Sequence, residues 1–171
     1  MDRSSTYMPS FFRNGKYAKS LLELAYRSIG KDAMPDDLGQ KLLAYQDRSS
    51  VIENNSFKQK LRTMYQEKLQ FNEVPILLID NTARNNFKNG FIVTNNRILV
   101  REIFDKAVSY DMKKIKSIKP VSGIGWSIGI STNEDQNNIL IGQYAEYFFA
   151  LYNCITKAWI DYKSGLFSWE A

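Results

Sequence analysis

Three carboxylates and one run of cations are the groups best suited by type to do chemistry here. Asp80, Glu134 and Asp135 lie in polar stretches, and a general acid–base pair needs carboxylates placed where substrate can enter. Each also has a plainer use. Asp80 begins Asp80-Asn81-Thr82, where a short carboxylate accepts backbone N–H bonds in a turn, and Glu134-Asp135 solvates a hairpin tip. Between Arg97 and Lys119, seven cations (Arg97, Arg101, Lys106, Lys113, Lys114, Lys116, Lys119) accompany Glu102, Asp105 and Asp111. Such a run forms either a basic face for an anionic partner or a solvated strand face whose lysines discourage edge-to-edge pairing. As a binding face, its ligand residues would be Arg97, Arg101, Lys113, Lys114 and Lys116. Nucleic-acid readers interleave cations with aromatic side chains, and only Phe104 and Tyr110 are near.

The inventory excludes more than it suggests. There is no histidine, and Cys154 is the single cysteine. A Ser-His-Asp triad, a Cys-His pair, a histidine-ligated zinc and a cysteine-rich zinc site are therefore unavailable. The expectation is a non-catalytic protein with no cofactor and no metal, in which Cys154 is buried packing. One cysteine also suits a reducing cytoplasm. Residues 1–16 hold no continuous apolar stretch of the signal-peptide kind. The apolar-rich stretch from Tyr144 to Ile160 is broken by Glu146, Asn153 and Lys157, which argues against a membrane span. A net charge of +5 and a pI near 9.2 favour acidic partners without choosing among them.

The elements that must position these groups fall into two parts, a helical region over 1–72 and a strand-rich domain over 73–171. Ala18, Leu21, Leu22, Ala25 and Ile29 recur at helical spacing and Gly30 supplies a stop. Pro35-Asp36-Asp37 marks a second helix start, with Leu38, Leu42 and Tyr45 on one face. Phe57, Leu61, Met64 and Tyr65 mark a third, from Val51 to Leu69. From Asn72-Glu73-Val74-Pro75 onward the period becomes two. Seven strands are expected: Ile76–Ile79, Phe91–Thr94, Arg97–Ile103, Ala107–Tyr110, Ile115–Ile118 (ended by Pro120), Ile124–Ile130 and Asn138–Ile141. Asn95-Asn96 supplies the hairpin turn between the second and third. A helix over Gln143–Tyr162 then carries Tyr144, Phe148, Leu151, Ile155, Trp159 and Tyr162 along one stripe.

Residues 79–99, IDNTARNNFKNGFIVTNNRIL, resemble bacterial pleckstrin-homology-like (PH-like) domains. The resemblance rests on Asp80-x-Thr82, on Gly90 opening the second strand, and on the Thr94-x-x-Arg97-Ile98 hairpin. The stretch VSYDMKKIKSI, residues 108–118, resembles a later strand pair of that family. What this implies is an α+β fold in which N-terminal helices pack on a seven-stranded PH-like partial barrel closed by the C-terminal helix. It also implies a non-catalytic scaffold for proteins, lipids or peptides. The phosphoinositide readers of the wider family place basic residues on the second strand, and Phe91-Ile92-Val93-Thr94 has none.

The C-terminal helix is apolar around more than half its circumference, because Tyr147, Phe149 and Tyr152 lie off its main stripe. Those side chains, with Trp169 in the tail, are expected to pack on the N-terminal helices or on another chain. The functional expectation is an intracellular interaction protein acting by protein–protein contact, as an adaptor, an inhibitor or an immunity-like or anti-defence factor of bacterial or phage origin. The alternative is a peripheral binder of anionic lipid or nucleic acid through the basic face 97–119. A homo-oligomer stays open, through the last strand or the aromatic helix.

Overall fold

The computed structural model describes residues 16–29, 42–44, 73, 75–80, 90–101, 107–123, 125–133, 136–142 and 145–166. Within them the chain is an α+β protein of two helices and two antiparallel sheets. Helix α1 is Lys16–Ile29; strands β1 to β8 are Leu42–Ala44, Pro75–Asp80, Gly90–Thr94, Arg97–Arg101, Val108–Asp111, Ser117–Ser122, Trp126–Ser131 and Gln136–Gly142; helix α2 is Ala145–Lys163. The first sheet has the order β1-β2-β3-β4-β5 and the second β6-β7-β8. The described strands form these two sheets rather than a closed barrel.

Each of the seven segments read as strands overlaps one of β2 to β8, and an eighth strand, β1, precedes them. The second N-terminal helix is corrected here. Leu42–Ala44 pairs antiparallel with β2, Leu42 opposite Ile79 and Ala44 opposite Leu77. Strand β2 bonds β3 with one row of backbone groups, and the other row also needs partners in a buried strand. That long-range demand overrides a local helical pattern. The third expected helix, Val51–Leu69, lies outside the described residues. Pro120 does not end its strand either. It sits inside β6 opposite Ile128, and β6 is an edge strand, where a missing N–H is tolerated.

Within the first sheet, the apolar side chains described in β2, β3 and β4 are buried on both faces. Leu77, Phe91, Val93, Ile98, Val100 and Tyr110 belong to the main core cluster, while Leu78, Ile92 and Leu99, which alternate with them, are equally buried. The unbroken apolar runs Phe91-Ile92-Val93 and Ile98-Leu99-Val100 follow from this, since a strand covered on both sides has no polar face to present. The cross-strand row Leu78–Ile92–Leu99 continues to Ser109 on the edge strand β5, and there it becomes exposed.

Helix α2 packs against α1 and against β7 and β8 of the second sheet. Its Phe148, Leu151, Cys154, Ile155 and Ala158 are buried, and α1 inserts Tyr17, Ala18, Leu21 and Ala25 into the same cluster. Small residues on both helices (Ala18, Ala25, Ala158) allow close approach. Helix α1 also touches β1 and β2. Three polar contacts tie the helices: Tyr17 to Asp161, the Cys154 thiol to the Leu21 carbonyl at 3.1 Å, and Asn153 to the Ser28 hydroxyl at 3.2 Å. Gly165, at φ 83°, ends α2. The Leu166 N–H bonds the Asp161 carbonyl and the Gly165 N–H bonds that of Tyr162, the paired bonds of a Schellman cap.

Candidate functional site

The hairpin between β3 and β4 builds the first polar cluster. The Thr94 hydroxyl accepts the N–H groups of Asn96 and Arg97 at 3.1 and 3.0 Å and donates to Glu73 Oε1 at 2.8 Å. Glu73 in turn takes a forked contact from Arg97, Nε to Oε1 at 2.7 Å and Nη2 to Oε2 at 3.0 Å. The Thr94-x-x-Arg97 spacing is thus a physical device, with the threonine closing the turn and the arginine locking it to the segment before β2. Arg97, expected on the exposed basic face, is only 7% exposed. Its guanidinium is committed to structure, because a buried cation is stable only when paired and hydrogen-bonded. Glu73 was the missed partner, and the signal was a lone acid just ahead of an apolar strand.

Beside this clamp lies a cleft of about 260 Å³ lined by Asn96, Arg97, Ser109, Asp111, Lys113 and Tyr162. Four elements contribute: the β3–β4 turn, β4, the edge strand β5 with the turn after it, and the end of α2. Asp111 shapes that turn by accepting the Lys113 N–H at Oδ1, 3.0 Å away. The Tyr162 phenol is pushed above its ordinary pKa by burial first and by the Asp111 carboxylate second, so at neutral pH it is a hydrogen-bond donor. Cation, carboxylate, hydroxyls and amide together make a surface for binding polar groups. Asn96 was read only as a turn residue and Tyr162 only as part of the helix stripe, and Ser109 was not singled out from the sequence. For Ser109 the signal was the alternation in Val108-Ser109-Tyr110-Asp111, which puts Ser109 and Asp111 on one face.

The remaining cations divide. Lys113, Lys114, Lys116 and Lys119 are exposed, and Arg101 is half-buried. Lys106 lies outside the described residues. None of the four exposed lysines pairs with a carboxylate among the described residues. The basic run is therefore a lysine turn and strand face over 113–119, with Arg97 withdrawn from it.

The aromatic side chains of α2 are also redistributed. Phe149 and Tyr152 reach toward the second sheet. Phe149 lies 5.1 Å from the Trp126 ring of β7 and 5.2 Å from Phe148, and Tyr152 stacks on Phe148 at 5.9 Å with its hydroxyl near the Ile118 carbonyl of β6. Helix α1 instead takes the Cys154–Asp161 side. The wide apolar face is explained by two neighbours on different sides of one helix. Cys154 is fully buried, and desolvation pushes its thiol up to about 12, which makes it inert packing. The side chains of Asp80 and Tyr147, and residues Glu134, Asp135 and Trp169, lie outside what the structure describes.

Among the described residues no helix is long and apolar enough to cross a membrane, and no three His, Cys, Asp or Glu residues gather where they could hold a metal ion. Comparison with protein-family models, with curated proteins and with solved structures finds no match to this chain.

Proposed function

We propose that this chain is a non-catalytic interaction protein acting through protein–protein contact on a PH-like scaffold. The order of elements supports the scaffold: a four-strand meander β2–β5, a three-strand meander β6–β8, then α2. That is the sequence of two sheets and a closing helix that the resemblance implies.

One observation carries the contact. At the C-terminal end of α2, Ile160 is 57% and Leu166 41% exposed. The Schellman cap folds Leu166 back over the turn that carries Ile160, concentrating two apolar side chains where Lys157 and Lys163 supply a polar rim. This small apolar spot with its polar rim is the contact surface proposed for another protein. Affinity capture from cells that encode the protein, at low and high salt, tests this. The expected result is one stoichiometric protein at both salt levels, lost when Ile160→Asp and Leu166→Asp are combined without change in circular dichroism. Absence of any stoichiometric protein, or its retention by the folded double variant, overturns the proposal.

The exposed lysines 113, 114, 116 and 119 favour a second reading, a binder of anionic lipid or nucleic acid. Its signature is affinity that falls steeply with salt and is abolished by Lys113→Glu/Lys114→Glu/Lys116→Glu.

A further inference from the structure

The register of β5 fixes which of its backbone groups face outward. The Met112 N–H donates to the Asn96 carbonyl at 2.9 Å, one step beyond the pair Arg97–Asp111. In an antiparallel ladder, pairs that exchange backbone bonds alternate with pairs that do not. Tyr110–Ile98 and Val108–Val100 are therefore the bonded pairs. Ser109 and Asp111 point their N–H groups away from β4. Strand β5 is the last in its sheet, and neither outward N–H is taken up by another described residue. Ser109 and Asp111 also belong to the lining of the cleft. An edge strand with two outward backbone donors is a template for one more strand.

The charge around that edge selects the occupant. Lys113 is in the cleft wall, and Lys114, Lys116 and Lys119 follow it, all exposed. Asp111 is the one acid in the stretch from Val108 to Ser122, and its Oδ1 is already engaged by the Lys113 N–H. We propose that β5 accepts an extended acidic segment of a protein partner as a further strand of the first sheet, its backbone bonding Ser109 and Asp111 and its carboxylates meeting Lys113 and the lysines beyond. This rests on the protein–protein reading above and names a site and a chemistry for it.

The test uses the full chain and an array of peptides of about ten residues, with acidic, neutral and basic sequences equally represented. Acidic peptides are expected to be retained preferentially. On binding the best of them, the Ser109 and Asp111 amides should slow in hydrogen exchange by about tenfold or more, while the Tyr110 amide, already bonded to β4, is slow throughout. Ser109→Pro removes an outward donor and leaves the bonds to β4 in place, so it should weaken the peptide about tenfold or more with the fold kept. Lack of an acidic preference, exchange at Ser109 and Asp111 that peptide leaves unchanged, or a folded Ser109→Pro variant that binds as wild type would each overturn the proposal. Displacement of the peptide by single-stranded DNA or by phosphatidylserine vesicles would reassign the lysines to those partners and overturn it too. If the captured partner depends on Ile160 and Leu166 but ignores Ser109→Pro, the strand site falls and the interaction reading stands. If wild type captures nothing, the interaction reading itself falls.

Discussion

The Tyr17 hydroxyl donates to Asp161 Oδ2 at 2.6 Å across 144 positions of sequence. Lys157 holds both oxygens of the same carboxylate, at 2.6 and 2.7 Å. The Tyr17–Asp161 bond is buried, whereas the Lys157 side chain is half exposed. Tyr17→Phe is therefore expected to cost about 1.5–3 kcal/mol, since a hydrogen bond to a charged acceptor is worth that much net. Lys157→Ala should cost less than about 1 kcal/mol, as exposed ion pairs do. Urea midpoints of the two variants give the comparison.

Removing one half of the Glu73–Arg97 fork leaves the other charge buried. Glu73→Ala is expected to destabilise by about 3 kcal/mol or more, and Glu73→Ala/Arg97→Met by less than the sum of its single changes. A double-mutant cycle by guanidinium unfolding measures both. Equal additivity would mean that the fork contributes nothing beyond its separate side chains.

Alkaline pH should unfold the protein, and the sign follows from two groups. Burial raises the folded pKa of Cys154 from 9.0 to about 12, and that of Tyr17 rises too, through burial first and its Asp161 hydrogen bond second. In the unfolded chain both protons leave earlier. The stabilisation is complete below 9.0 and is lost as pH climbs from there toward 12. Denaturant midpoints should fall between about pH 9 and 11, with a shallower slope in Cys154→Ala.

The same burial protects the thiol from chemistry. A disulfide-exchange reagent at neutral pH is expected to leave Cys154 untouched in the native protein and to titrate one thiol in urea. Rapid reaction under native conditions would show that α1 leaves α2 often.

Gly165 adopts a backbone conformation that a Cβ disfavours. Gly165→Ala should lower stability by about 1 kcal/mol through the cap alone, visible as a shift of a few degrees in thermal melting.

What was legible in the sequence was local. The apolar stripe of α2, the alternation in Trp126–Ser131 and the Asn95-Asn96 turn depend on neighbours a few residues away, and each element formed close to where the pattern put it. What escaped was set by distant partners. Leu42–Ala44 carries a helical spacing and becomes a strand because β2 needs a second neighbour. Arg97 is written like a surface cation and becomes internal because Glu73, 24 residues earlier, is folded against it. Phe149 and Tyr152 were read as surplus apolar surface on α2, but periodicity carries no information on which neighbour takes which side. The cleft is the extreme case. Ser109 matters because β5 is an edge strand, and edge status is a property of the whole sheet.

The pairing of α1 with α2 also has a temporal side. A ribosome adds about 5–20 residues per second, so Asp161 is made roughly 7–30 seconds after Tyr17. An isolated helix of 14 residues is marginal in water, and until α2 exists the Tyr17–Leu21–Ala25 stripe lacks its main partner, with only β1 and β2 to touch it. During synthesis the early helix is a sticky, half-formed peptide in search of a late partner, and chaperone attendance or failed assembly should concentrate on that interval.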